Sequence, residues 1–168
     1  MNDIFLPGGP LDERRFSPAA WAMLQCASQD ATETRWETLR SPHVFMGVMA
    51  APDETVARWC EALDSTPEAI RRQFVRLFTE TGAAHTRVRL HREFCSTNTI
   101  KLFRAAARQA AEIGHLIVRP LDVLRALLSD DGCVAACFRE SGYTASGLRV
   151  LLRGAEAGPA EQSASQPA

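Results

Sequence analysis

The sequence has few of the features that mark a nucleic-acid-binding, membrane or secreted protein. Lys101 is the only lysine among 168 residues, and the formal net charge is -1, so no excess of positive charge attracts nucleic acid or anionic lipid. No run of about 18 apolar residues is present, which argues against a membrane span. The first ten residues, MNDIFLPGGP, lack the basic start and apolar core of a signal peptide. We therefore expect a cytoplasmic protein that binds neither nucleic acid nor membranes.

Motifs for catalysis and for cofactors are also missing. There is no GxSxG elbow and no GxxxxGK[ST] phosphate loop, and Lys101 lies in no glycine-rich turn. The cysteines are odd in number and contain no CxxC pair, which favours free thiols in a reducing compartment; they are Cys26, Cys60, Cys95, Cys133 and Cys137. We expect no enzymatic activity and no cofactor.

Two cysteines need separate consideration, because Cys133 and Cys137 are four residues apart and would share one face of a helix. Two thiolates at this spacing could supply half of a metal site, but no second pair lies close in the sequence. We interpret them as core residues, with metal binding and redox sensing as weaker alternatives, and expect no metal.

The composition is that of a globular protein with irregular ends. Hydrophobic residues make up 46% and charged residues 23% of the chain. The Pro-Gly-Gly-Pro run at residues 7–10 predicts a flexible N-terminal arm over residues 1–15. The small and polar stretch GAEAGPAEQSASQPA predicts a disordered tail over residues 154–168.

The region between these ends repeats itself. Residues 35–49 (RWETLRSPHVFMGVM) and 114–128 (GHLIVRPLDVLRALL) carry the same apolar pattern 79 positions apart. Further along, the spacing becomes 78, and Thr66 then matches Thr144. A slip of one residue between helices is easily accommodated in a duplicated fold, so we interpret the pattern as a tandem repeat.

Each repeat contains the signals of four helices. Ser41-Pro42 and Thr66-Pro67 are an N-cap residue followed by a proline at the first helical position. Apolar residues in the first helix recur at the spacing of one helical face. The prediction is an all-α, pseudo-twofold domain of two four-helix units over residues 16–153, with repeat 1 at 16–80, a linker at 79–93 and repeat 2 at 94–153.

Several short motifs carry a family resemblance. They are Phe16-Ser17-Pro18-Ala19-Ala20 at the first opening, Gly114-His115, His43-Val44-Phe45, and Val56-Ala57 with its counterpart Val134-Ala135-Ala136. Over residues 16–153 the chain resembles the double-repeat amino-terminal domain of the Clp unfoldases ClpA, ClpB and ClpC. The resemblance implies a module that binds substrates and adaptors. The AAA+ motor of those unfoldases has no counterpart in this chain.

The chain also departs from the family pattern. The glutamate that helps bind phosphoarginine in some ClpC-type domains is replaced by Pro42 and, in the second repeat, by Leu121. Because a carboxylate is needed to pair with a guanidinium-like group, we do not expect phosphoarginine to be recognised in that way. We interpret His43 and His115 as residues that fix the start of a helix, and the basic stretch around Arg87 and Arg89 as solvated linker.

The resemblance places the binding site at the openings of the two repeats. We expect five residues there to contact a partner: Phe16, Ser17, Phe94, Cys95 and Ser96. The predicted function is a monomeric, non-catalytic module that recognises substrate or adaptor polypeptides for a Clp ATPase–protease. Two alternatives remain open: a small-molecule or stress sensor on the same fold, and the N-terminal fragment of a complete Clp ATPase.

Overall fold

The computed structural model describes residues 3–77, 82–129 and 132–158, and in these ranges the regular structure is helical throughout. Two short 3-10 turns, Glu13–Arg15 and Arg92–Phe94, precede the two groups of helices. The helices are α1 (Pro18–Glu33), α2 (Ser41–Ala50), α3 (Glu54–Ala62), α4 (Pro67–Leu77), α5 (Thr97–Glu112), α6 (Pro120–Leu127), α7 (Cys133–Glu140) and α8 (Ala145–Ala157). The predicted all-α fold is confirmed.

The two groups of helices repeat each other in sequence position and in backbone conformation. Helices α5, α6 and α7 begin 79 residues after α1, α2 and α3, and α8 begins 78 residues after α4. The residues in the left-handed region correspond as well: Arg35 (φ 61°) matches Gly114 (φ 86°), and Asp64 (φ 54°) matches Gly142 (φ 89°). The same turns therefore end the first and third helices of both repeats.

Short extended segments of the two repeats pair with each other. Phe16 of repeat 1 forms a parallel bridge with Val118 of repeat 2, and Leu39 of repeat 1 forms one with Cys95 of repeat 2. At the first bridge, the N–H of Ser17 donates to the oxygen of Val118 (2.9 Å) and the N–H of Val118 donates to the oxygen of Arg15 (2.8 Å). At the second, the N–H of Ser96 donates to the oxygen of Leu39 (3.0 Å) and the N–H of Leu39 donates to the oxygen of Phe94 (2.6 Å). Each repeat thus satisfies backbone groups of the other in the same way, which produces the twofold relation.

Helix α2 lies at the centre of the core and is buried on all sides from His43 to Met49. It packs closely on α1, because a Cβ added at Gly47 would clash with the backbone oxygen of Met23. Phe45 of α2 contacts Phe74 of α4 (ring centroids 4.4 Å apart) and Phe138 of α7 (5.9 Å). One aromatic cluster therefore spans both repeats.

Helices α2 and α6 begin in the same way with different residues. The backbone N–H of Arg40 donates to Nδ1 of His43 at 3.0 Å, and the N–H of Arg119 donates to an oxygen of Asp122 at 2.8 Å. Both side chains are buried. The structural interpretation of His43 is confirmed, whereas in repeat 2 this position is taken by Asp122 and not by His115.

The burial of His43 predicts a loss of stability in mild acid. Burial first, and the positive charge of Arg40 second, lower the pKa of His43 from 6.5 to about 4. Between about pH 4 and pH 6.5, His43 therefore binds a proton in the unfolded chain but not in the folded protein. We expect stability to be fully present above pH 6.5 and to fall by about 1–1.5 kcal/mol between pH 7.5 and 5.5 through this residue.

Urea unfolding of the native protein and of His43→Asn at both pH values measures this contribution. Asparagine keeps an acceptor for the N–H of Arg40 but does not titrate, so the variant should show a smaller decrease. An equal decrease in both proteins would contradict the assignment.

Three expectations drawn from the sequence need correction. The arm is ordered from Asp3 onward: Ile4, Phe5 and Leu11 are buried, and Pro7–Pro10 forms the turn of a short hairpin in which the N–H of Leu6 donates to the oxygen of Pro10 (2.7 Å). The turn residues therefore fold the arm back onto the domain. At the other end, α8 continues to Ala157, so residues 154–157 are helical; residues 159–168 lie outside the described ranges.

The third correction concerns the cysteines. Cys133 is exposed and Cys137 is half-buried, so the interpretation as core residues is wrong for Cys133. Both lie on α7, where the buried face is formed by Val134, Ala135 and Phe138.

Candidate functional site

The five residues predicted to bind a partner lie at the two openings but differ in accessibility. Phe16 and Cys95, which occupy equivalent positions, are buried with 5% and 8% of their surface exposed. Ser17, Phe94 and Ser96 are half-buried. The bridges between the repeats use the backbone of these segments, so the structure gives them a role in joining the two halves.

Both serines are already engaged within the domain. The oxygen of Ser17 accepts from the N–H of Ala20 at 3.1 Å and caps α1, and that of Ser96 accepts from the N–H of Thr99 at 3.2 Å and caps α5. The hydroxyl of Thr99 donates to the backbone oxygen of Leu39 at 2.8 Å. These polar groups therefore hold the openings in place, and any contact with a partner uses what remains of their exposed surface.

Cys95 behaves as an apolar side chain in this position. Burial raises its pKa to about 12, so the nucleophilic thiolate is scarce at neutral pH. The cysteine in the second opening therefore substitutes for an apolar residue and does not provide a reactive group.

Phe16 belongs to an aromatic cluster at the first opening. Its ring lies 5.9 Å from that of Trp21 on α1 and 6.4 Å, edge to face, from that of Phe103 on α5. Phe103 is fully buried, and Phe5 of the N-terminal hairpin lies 6.5 Å from it. The first opening is therefore an apolar junction between α1, α5 and the hairpin.

Sequence reasoning missed an exposed apolar group beside this opening. Ile113, Leu116 and Ile117 are 49%, 84% and 42% exposed, in the segment between α5 and α6. This segment leads to Val118, which pairs with Phe16, so Leu116 and Ile117 lie within two residues of the first opening along the chain. We call them the 113–117 apolar patch.

The patch could have been found by comparing the repeats with each other. The equivalent positions of repeat 1, at the spacing of 79, are Thr34, Glu37 and Thr38, which are polar. A surface that is apolar in only one of two equivalent places is not required by the fold. Exposed aliphatic side chains that are contiguous mark an interaction surface more often than isolated ones do.

The described part of the chain also has concave regions away from the openings, and the following are the two of greatest volume among those found. A cavity of about 1010 Å³ lies between α1 and residues 84–90, and most of the residues that line it are polar or charged; Arg35 and His85 among them are in contact at 2.8 Å. A second, of about 520 Å³, lies between α4 and α7 and is lined by Phe74, Phe138 and Tyr143. Neither includes any of the five predicted residues.

The described residues contain no group of three or more side chains placed to hold a metal ion. In the same parts of the chain, none of the helices combines the length and the apolarity needed to span a membrane.

Comparison with known proteins identifies relatives of the fold. Residues 15–141 match the model of the Clp repeat (R) N-terminal domain family. None of the curated proteins compared with the chain matches it.

Solved structures with the same fold come from several Clp-type proteins. The N-terminal domain of the chaperone ClpD from Arabidopsis thaliana is 15% identical, with a TM-score of 0.65 over 88% of this chain and 98% of that one. The Hsp104 N-terminal domain from Candida albicans is 15% identical, with a TM-score of 0.68 over 82% and 88%. A chain in a structure described as a peptide from the EAEC T6SS Sci1 SciI protein is 15% identical, with a TM-score of 0.59 over 83% and 81%.

Proposed function

Because the chain belongs to the Clp repeat (R) N-terminal domain family, we propose that it is a non-catalytic module that recognises substrate or adaptor polypeptides for a Clp ATPase–protease. It acts as a monomer in the cytoplasm and receives its partner at the first opening. One of the related solved structures is described as a peptide from the SciI protein, which supports a polypeptide as the ligand.

The observation that carries this proposal is the 113–117 apolar patch. Leu116 is 84% exposed, and the segment is anchored at Val118 by backbone bonds to Arg15 and Ser17. A partner that covers the patch removes apolar surface from water, which is favourable by about 25 cal/mol per Å². Since the anchoring fixes the segment beforehand, little ordering entropy is lost on binding.

The residues predicted from the sequence contribute in two ways. The openings are shaped by the buried Phe16 and Cys95. A partner can contact the exposed part of the half-buried side chains, which are Ser17, Phe94 and Ser96. Recognition of this kind suits an amphipathic helix or an extended apolar segment. The 168 residues contain no phosphate loop, so any unfolding motor is supplied by other residues or by another protein.

Capture by the immobilised domain tests the patch. Leu116→Asp should reduce the recovery of polypeptides from an extract at least fivefold, because it places a charge in the centre of the covered surface. Val150→Asp is the matched control, since Val150 is also exposed (59%) but lies on α8. Equal recovery by both variants, with folding intact, would contradict the proposal.

Addition of the protein to a Clp degradation assay distinguishes its possible roles. An adaptor should speed the turnover of a captured client, whereas a competitor of the motor's own domain should slow it. No effect on turnover at saturating concentration would argue against a role in a Clp system.

A further inference from the structure

The N-terminal hairpin, residues 3–12, covers the junction at the first opening. Phe5 pairs with Leu11 in an antiparallel bridge, and the N–H of Asp12 donates to the oxygen of Ile4 at 2.9 Å. Ile4 and Phe5 are almost fully buried, whereas their neighbour Leu6 is 37% exposed. The hairpin thus inserts two adjacent apolar side chains into the domain.

Phe5 shares its contact with a residue of the predicted binding site. The rings of Phe5 and Phe16 lie 6.5 and 6.4 Å from that of Phe103 on α5. Phe103 is therefore contacted by the hairpin and by the first opening. An apolar segment that approached Phe103 from the hairpin's side would meet Phe5 already in place.

The same segment makes a charged contact with α5. Asp3 forms a bidentate ion pair with Arg104, through Nε at 3.1 Å and one terminal nitrogen at 2.7 Å. The guanidinium of Arg104 also lies 5.9 Å from the centre of the Phe5 ring. Helix α5 thus contacts an acidic residue, Asp3, and an aromatic one, Phe5, and the aliphatic Ile4 between them is buried in the domain.

The hairpin has the properties of a displaceable element. It turns through Gly8 (φ 94°) and Gly9 (φ 107°), which adopt this conformation without a side-chain clash. Its ion pair is partly exposed and contributes little to stability. Residues 3–6 precede all of the helices, so their release breaks no helix and costs mainly the exposure of Ile4 and Phe5, about 1.5–3 kcal/mol each, which a partner that buries the same apolar surface returns.

From this arrangement we propose that residues 3–6 are an internal ligand of the partner site, and that the surface of α5 beneath them binds a polypeptide segment with an acidic residue followed by an aliphatic and an aromatic one. The inference rests on the proposed function, because it assumes that polypeptides are received beside Phe16. A partner with this pattern replaces the hairpin, which competes at the high effective concentration of a tethered segment.

Binding of the hairpin's own sequence in trans tests the inference. The probe is a fluorescent peptide of residues 3–10, DIFLPGGP, and the protein is the full chain with Ile4→Ser and Phe5→Ser. We expect the peptide to bind this variant at least tenfold more tightly than the native chain, as measured by fluorescence anisotropy. Leu6→Ser, which changes an exposed side chain of the same hairpin, should behave as the native chain does.

A charge exchange tests the role of Arg104. In the Ile4→Ser/Phe5→Ser chain, Arg104→Glu should weaken binding of the peptide at least fivefold, and a peptide with arginine in place of its aspartate should recover most of the loss. Asp3→Arg in an otherwise native chain opens the ion pair and leaves the apolar residues in place. It should increase binding of the native peptide about threefold, and it serves as the test if the double variant does not fold.

Equal binding of the peptide to the native chain and to the opened variants, or indifference to the charge at position 104, would overturn the inference. These results are independent of the capture experiment. If Leu116→Asp abolishes capture while the peptide binds all chains alike, the proposed function stands and the internal ligand does not exist. If the peptide binds as expected but Leu116→Asp changes nothing, the proposed function fails at the patch.

Discussion

Replacing Phe138 with alanine is expected to destabilise the entire domain by about 3–5 kcal/mol. Phe138 is buried on α7, where its ring lies 5.2 Å from Phe74 and 5.7 Å from Trp59, both of repeat 1. The truncation leaves a cavity between the repeats that neither half can fill alone. Because each repeat also completes backbone bonds of the other, we expect one cooperative unfolding transition in the variant.

Urea unfolding followed by circular dichroism measures this effect, with Val150→Ala as the control. Val150 is exposed on α8, so its truncation should change stability by less than about 0.5 kcal/mol. Two separate transitions, with repeat 1 remaining folded after repeat 2 has unfolded, would show that the halves are independent.

Replacing Asp122 with alanine is expected to cost about 2–3 kcal/mol. Its fully buried carboxylate caps α6 and contacts Arg119 at 3.2 Å and Arg125 at 3.2 Å. Both arginines also contact Glu156 of α8, at 3.0 and 2.9 Å. Loss of the carboxylate leaves the backbone N–H of Arg119 without its acceptor and places two cations beside each other with only Glu156 between them.

Glu156→Ala provides the comparison for this prediction. Its side chain is about one-third exposed, so the remaining pairs with Asp122 and access to water limit the loss to about 1 kcal/mol. Thermal or urea unfolding of both variants shows which substitution causes the larger loss of stability. A larger effect for Glu156→Ala than for Asp122→Ala would mean that the network depends on the end of α8 and not on the buried carboxylate.

The fold was predictable from the sequence because its signals are local and occur twice. Thr66 caps α4, which begins at Pro67 as predicted, whereas α2 is capped by Arg40, so that Ser41 is its first helical residue and not the predicted cap. The spacing of 79 depends only on apolar positions. Repeat 2 has Asp122 where repeat 1 has His43, and the pattern is kept because either side chain can accept a hydrogen bond from the backbone N–H at the start of its helix. The features that the two repeats share could therefore be predicted from the sequence.

The hairpin was not predictable in the same way. Pro7-Gly8-Gly9-Pro10 is compatible with a loose arm and with a tight turn, and the difference is made by Phe103, nearly a hundred residues away. The site was foreseen only in part for a similar reason. The family resemblance located the openings, but which side chains remain exposed is decided by tertiary packing, which buried Phe16 and left Leu116 in solvent.

The most direct test of the account is to place a photo-crosslinking amino acid at position 116 and, in a separate protein, at position 150. After irradiation in a cell extract, mass spectrometry should find polypeptides joined to the first protein and far fewer joined to the second. A preference of the adducts for position 150, or the same adducts at both positions, would contradict the claim that this domain receives polypeptides at the 113–117 apolar patch.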